Sequence, residues 1–338
     1  MNVMLTSVGR RSYLPHYFKK ALAGDGIVIG TNCVPFTSGL LSCDVGKVVP
    51  PCNEVGFADT IIALCDEYKV RLLFSLHDLE APFLALRRND FLSINTIPVI
   101  ADVSFLDICL NKYKTVQFAS ANGLATPRTF TVIEEALSSL QNGEISFPLV
   151  VKPCCGFASL GLYFAYDEDD LGFYWKKSVR ELQRRISSYT TSHDKFQDNS
   201  VLIQEVIQGQ EYGLDVVNDL DGNHITTFVE KKLGMRGGET DSAVVVKEPL
   251  LCELGKKIGR ISKHPGNLDV DVIVRDDIPF LIEMNPRFGG HYPFAHIAGA
   301  DIPAAILAWA RGLQPESSWF KVEYGTLALK EITIKAVN

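Results

Sequence analysis

No two cysteines in the sequence have C-x-x-C spacing, although eight are present, at positions 33, 43, 52, 65, 109, 154, 155 and 252. None has a histidine at zinc-ligand distance, which sets aside a zinc clip and leaves reduced, mostly buried thiols. No apolar run approaches membrane-spanning length, and "MNVMLTSVGRR" reaches two arginines before a signal-peptide core can form, so a cytoplasmic protein with no membrane partner is expected. Positive charge is also short: 33 Lys and Arg against 40 Asp and Glu leave a formal charge of −7. That argues against a nucleic-acid partner, although a local group of cations can still hold a polyanion. The first glycine turn is two glycines short of G-x-G-x-x-G, and no G-K-[ST] occurs in the small-residue loop after residue 153. Neither a dinucleotide fingerprint nor a Walker A loop is therefore present. Internal repeats and low-complexity segments are lacking, as is any Ser-His-Asp or Cys-His arrangement.

What the chain has is a globular composition, 46% hydrophobic and 22% charged over 338 residues, enough for two or three domains. "NVMLTSVGRRSYLPHYFKKAL" reads as strand, glycine turn and helix, and "GIVIGTN" as the next strand. "ADTIIALCDEYKV" is an amphipathic helix, followed by the strand "RLLFSL" and the helix "HDLEAPFLALRRNDF". Such alternation to about residue 100 predicts a parallel α/β domain whose ligand edge lies at the carboxyl ends of its strands. Residues 7–12 and 77–80 follow strands and fall on that edge, making Arg10, Arg11, Asp78 and Glu80 candidate substrate contacts. "DVSFLDICLNKYKTVQFASANGLATPRTF" reads as one helix ending at Asn122-Gly123. The style then changes to strands joined by turns, which predicts an antiparallel portion.

Chemistry concentrates in "FLIEMNPRFGGHYP", residues 280–293. Strand alternation puts Glu283, Asn285 and Arg287 on one side and Ile282 and Met284 on the other. Glu283 and Asn285 offer hard oxygen ligands of the kind Mg2+ takes, and Arg287 a fork of donors for phosphate or carboxylate. Upstream, Asp269 and Asp271 alternate with valines, and a hairpin through "RDDIP" brings a carboxylate opposite Glu283. Asp271 is the better metal candidate because it is nearer the hairpin. In "LVVKPCCGFASLG", Lys152 ends an apolar strand ahead of a loop with Gly156, Ser159 and Gly161, where backbone N–H groups can approach phosphate oxygens. A glycine hairpin beside an incidental lysine reads that stretch equally well, and Lys112 in "NKYKT" alone reads as a solvated helix lysine. "LIQEVIQGQEYGLDVV" offers the backbone of Glu205, Val206 and Ile207 for a purine edge and Glu211 for a ribose, or an ordinary acidic hairpin. Lys232, Arg236, Glu239 and Thr240 flank Gly237-Gly238, as a substrate pocket or a charged surface loop. Gly290, His291 and Tyr292 are candidates for the pocket wall; a structural histidine is the alternative.

In this order the motifs resemble the ATP-grasp superfamily, most closely single-module relatives of the carbamoyl-phosphate synthase large subunit. The resemblance implies a Rossmann-like pre-ATP-grasp α/β domain over residues 1–102 and a two-lobed ATP-grasp domain over 103–313. The latter has a lid at about 126–204 and a catalytic part at about 205–313, and 314–338 form a C-terminal extension. It implies that ATP phosphates meet Lys112 and Lys152, the latter beneath a mobile lid whose loop spans roughly residues 154–161 and includes Gly156, Ser159 and Gly161. Adenine would meet Glu205, Val206 and Ile207, and ribose would meet Glu211. Asp271, Glu283 and Asn285 would hold one or two Mg2+, or Mn2+ in their place, while Arg287, Lys152 and Asn285 act on the transferring phosphoryl group. The implied reaction is ATP-dependent ligation of a small, amino-acid-like carboxylate to an amine or ammonia through an acyl phosphate, in a homodimer. The alternatives are a module that phosphorylates bicarbonate or carbamate, and a catalytically silent ATP-binding regulatory subunit. Asp271 stands where many relatives have Glu or Gln.

Overall fold

The computed structural model describes residues 1–155, 161–189, 200–332 and 334. Its first sheet is parallel and is built from β1 (Asn2–Thr6), β2 (Val28–Asn32), β3 (Val45–Val48), β4 (Val70–Ser75) and β5 (Ile97–Pro98), in the order β3-β2-β1-β4-β5. β1, β2 and β4 are almost wholly buried, as apolar runs covered on both faces require. The strand order reverses between β1 and β4. A crevice opens there at the carboxyl ends of both strands. The helix Tyr13–Leu22 follows the first turn, in which Ser7 and Gly9 both take φ of 48°.

The sequence "DVSFLDICLNKYKTVQFASANG" forms two helices rather than one, Val103–Leu110 and Lys112–Ala121. Asn111 is the reason. Its backbone is extended, and its side-chain oxygen accepts hydrogen bonds from the Tyr113 and Lys114 amides, capping a new helix. Lys112 thereby becomes the first residue of a helix.

A second sheet has β6 (Thr129–Phe130), β7 (Leu149–Pro153), β8 (Tyr163–Ala165) and β9 (Val201–Glu205) in the order β6-β9-β7-β8. It encloses a small core of its own, including Leu149, Val151, Leu171 and Ile203.

The third sheet is antiparallel. Its strands are β10 (Gln210–Asn218), β11 (His224–Arg236), β12 (Glu239–Val245), β13 (Gly266–Arg275), β14 (Ile278–Asn285) and β15 (Leu327–Leu329), ordered β14-β13-β10-β11-β12-β15. The stretch around Gly237-Gly238 is therefore the turn of the β11–β12 hairpin. One face carries Leu214, Val216, Val229, Val270, Val272 and Met284, buried against the helix Pro249–Ser262. The other face meets the parallel sheet through Phe18, Phe74, Phe288 and Tyr292, whose neighbouring rings lie 4.9–6.1 Å apart. Each such ring taken out of water contributes roughly 1.5–3 kcal/mol. This aromatic seam fixes the segment after β14 against the carboxyl edge of the parallel sheet. Among the described residues no helix is long and apolar enough to cross a membrane.

Candidate active site

The turn joining β13 to β14 has Asp276 and Asp277 at φ of 51° and 60°, the positive pair of a tight hairpin. Its register sets Asp271 opposite Glu283 and Asp269 opposite Asn285. The ladder shifts between Asp271 and Val272, so Val272 pairs with Leu281 and Ile282 is an extra residue. Simple alternation, which puts Ile282 beside Met284, is corrected by this bulge. Leu281 joins Met284 in the core instead.

Across the sheet, Gly213 lies opposite both Asp271 and Glu230, and Asp215 opposite Asp269. Directly opposed residues share a face, so Gly213, Asp215, Glu230, Asp269, Asp271, Glu283 and Asn285 all lie on the side away from the helix Pro249–Ser262. Gly213 has to be glycine: a Cβ there would stand 2.6 Å from the His291 ring. Gly289 is set the same way, 2.4 Å from the Asp269 carboxyl carbon.

Cations converge on this acidic face. Lys112 Nζ reaches Glu283 at 3.1 Å and Lys232 Nζ reaches Asp271 at 2.5 Å. Arg287 Nε and Nη2 donate to the two Asp78 oxygens at 2.9 and 3.0 Å, and Nη1 to Asp269 at 3.4 Å. Burial opposes the Arg287 charge, but Asp78 and Asp269 outweigh it and raise the pKa above its ordinary value. Lys152 is buried and donates to Gln204 at 2.7 Å. Burial, then repulsion from Lys112, lowers its pKa to about 8.

A polar cavity of about 210 Å³ is lined by Asp271, Glu283, Asn285 and Arg287 from the hairpin side and by Arg10, Arg11 and Asp78 from the parallel sheet. Lys232, Glu239, Thr240, Gly290 and His291 complete its wall. A second cavity of about 710 Å³ shares Arg10, Arg11, His77 and Glu239 with it, and adds Glu80, Phe294, Ile297 and Leu329. The Glu80 carboxylate there accepts from Ser7 at 2.5 Å, and burial raises its pKa. Arg236 lies outside both linings, exposed and paired with Asp241 at 3.0 Å. Tyr292 is fully buried, with its hydroxyl 3.0 Å from His296 Nδ1, and is part of the core rather than a wall.

Glu205 links the second sheet to the third: its amide donates to the Arg128 carbonyl and its carboxylate accepts from Arg275 at 2.9 Å. Val206 and Ile207 continue that link, and Glu211 is exposed on β10, two residues before Gly213. Gly161 takes φ of 76° beside Pro153. Gly156 and Ser159 lie outside the described residues. Sequence reasoning missed Lys330, which reaches Glu239 at 3.5 Å from just beyond β15, and the Asp215 and Glu230 carboxylates beneath His291. No local spacing connects those residues.

The chain matches two domain families, the PylC-like N-terminal domain over residues 3–100 and the ATP-grasp domain over residues 145–293. It is 26% identical over 234 residues to the carbamoyl phosphate synthase large chain of Xanthomonas axonopodis pv. citri, a match covering 64% of this chain and 20% of the relative. The match thus spans about a fifth of that relative's length. Among solved structures, the L-amino acid ligase of Bacillus licheniformis superposes with a TM-score of 0.69 at 21% identity, covering 96% of this chain and 78% of the other. The biotin carboxylase of Campylobacter jejuni gives 0.72 at 15%, covering 96% and 73%. The biotin carboxylase domain of the Hydrogenobacter thermophilus 2-oxoglutarate carboxylase, a dimer with MgADP and bicarbonate, gives 0.72 at 14%, covering 96% and 72%. The two matched families follow one another as the parallel and antiparallel sheets do: the chain carries a PylC-like N-terminal domain and, after it, an ATP-grasp domain.

Proposed function

We propose that the protein is an ATP-dependent ligase that joins a small, amino-acid-like carboxylate to an amine or ammonia through an acyl phosphate, releasing ADP and phosphate. The observation that carries this reading is one cavity in which oxygen ligands (Asp271, Glu283, Asn285) share a wall with fixed cations (Arg10, Arg11, Lys232, Arg287). A carboxylate resists nucleophilic attack because it is anionic and oxide is a poor leaving group. Conversion of one oxygen to phosphate removes both obstacles, and needs electrostatic positioning more than covalent catalysis.

In this reading Asp271, Glu283 and Asn285 hold one or two Mg2+, a set of hard oxygens that fits the ion, with Mn2+ an acceptable substitute. Bound there, the metal would neutralise phosphate charge as it transfers. Lys112, now paired with Glu283, and Lys152 move their charge onto the phosphates. Glu205, Val206, Ile207 and Glu211 receive the adenosine, and the second sheet closes over it. Arg287, held by the Asp78 fork, stays protonated and faces the developing acyl phosphate. Arg10 and Arg11 take the substrate carboxylate, Lys232, Glu239, Thr240, Gly290 and His291 shape its surroundings, and the larger cavity beside Glu80 takes the rest of the substrates.

The test is ADP release with Mg·ATP, a pool of amino acids and other carboxylates, and hydroxylamine as a generic nucleophile. A hydroxamate that disappears in Glu283→Ala supports the reading and identifies the acid. ATP binding without ADP or hydroxamate supports a silent regulatory subunit instead. A second reading, phosphorylation of bicarbonate or carbamate, is favoured by the likeness to the carbamoyl phosphate synthase large chain. It requires bicarbonate-dependent ADP release without any organic acid.

A further inference from the structure

Beneath the cavity, four ionisable side chains are packed out of reach of water. Asp215 and Glu230 are 0% exposed, His291 2% and Asp269 4%. They come from three strands and the segment after β14. His291 Nδ1 lies 3.3 Å from Asp215 Oδ2 and 3.2 Å from Glu230 Oε2. These two contacts have ion-pair distances without hydrogen-bond geometry, and among the described residues Glu230 Oε1 has no donor. Buried carboxylate oxygens without donors cost several kcal/mol unless something positive reaches them.

From this geometry we infer a buried divalent transition-metal site, of the zinc class, formed by His291 Nδ1, Asp215 and Glu230 and separate from the nucleotide-metal ligands. Zinc bonds of about 2.0–2.1 Å at tetrahedral angles set ligand atoms about 3.3–3.4 Å apart, close to both separations seen here. The candidate ligand atoms all lie within 4.8 Å of one another. Glu230 Oε1 and Oε2 are both without hydrogen-bond partners, so this carboxylate can bind through either oxygen.

The outer groups are those a metal-binding histidine and carboxylate use. His291 Nε2 is in short contact with Asp269 Oδ1; with Nε2–H donating there, Nδ1 is the nitrogen that faces Asp215 and Glu230, where a metal ion would take the place of a proton. Asn267 Nδ2 donates to Asp215 Oδ1 at 2.6 Å, leaving Oδ2 for the ion. Charge agrees as well. A divalent ion with a neutral His291 balances the three carboxylates together with Arg287; without the ion, the same balance needs an imidazolium at His291 and a proton on one carboxylate.

The site is tested on the full chain, purified without chelator, by elemental analysis and by Co2+ loading with excess Mg·ATP present. The expected result is one equivalent of zinc or cobalt per chain, with the intense visible absorption of cobalt of low coordination number rather than the faint bands of a six-coordinate ion. It should be lost in Glu230→Gln and weakened about 10–100-fold in Asp269→Asn, but kept in Asp271→Asn. Should the Glu230 variant fail to accumulate, the wild-type cobalt spectrum decides. Faint six-coordinate absorption abolished by Mg·ATP, or metal lost in Asp271→Asn alone, overturns the inference by placing the ion among the nucleotide-metal ligands. A folded wild-type chain that binds neither zinc nor cobalt overturns it in favour of a proton held by Glu230.

Discussion

Lys152 donates to a neutral amide, Gln204, and burial makes its ammonium costly to hold in the fold. The folded pKa is about 8, whereas a free lysine titrates near about 10.4. The cost is therefore fully present below pH 8 and is relieved as pH climbs through the window up to about 10.4, so folding stability from this group rises there. Nucleotide binding makes the opposite demand, because phosphate needs the charged form. ATP affinity, measured by titration from about pH 7 to about pH 9.5, should be flat at first and then fall by up to tenfold per pH unit. Lys152→Arg stays protonated and should flatten the curve; a wild-type curve without the bend removes Lys152 from the phosphate contacts.

The β13–β14 hairpin was readable in advance because its signals are local: polar residues at every second position and a pair of aspartates at the turn. The break at Asn111 is equally local, but a capping side chain competes there with helical periodicity on both sides, and periodicity alone reads through it. At the scale of the sheet, the polar face depends on Gly213. Replacing it with alanine forces the His291 ring to move, and overpacking of this kind typically costs about 1–3 kcal/mol. Gly213→Ala should lower the unfolding free energy by that amount, read as a lower midpoint in a denaturant titration, and disturb Asp269 through His291. An unchanged midpoint would mean that the ring relaxes freely.

For the whole molecule, the Asp78–Arg287 fork joins residues 209 positions apart. It was not legible, since it depends on how two sheets pack and each residue is an ordinary charge within its own segment. Asp78→Asn leaves Arg287 partly buried without its main partner, which should cost about 3 kcal/mol of stability and lower kcat more than ATP affinity. Equal loss in both would place Asp78 at the nucleotide instead. Phe288→Ala opens the aromatic seam between the sheets and should cost about 3–5 kcal/mol. We propose domain limits near 102 and 313, a lid at about 126–204 and a homodimer, to be checked by limited proteolysis with and without Mg·ATP and by light scattering.

The extra residue at Ile282 works as a half-step in a two-beat rhythm. On its turn side, Leu281 is keyed to the hydrophobic interior; on its far side, Glu283 and Asn285 are keyed to the cavity. One strand thus obeys two incompatible phases, and a single-residue deletion at this point would leave an uninterrupted alternation able to satisfy only one of them.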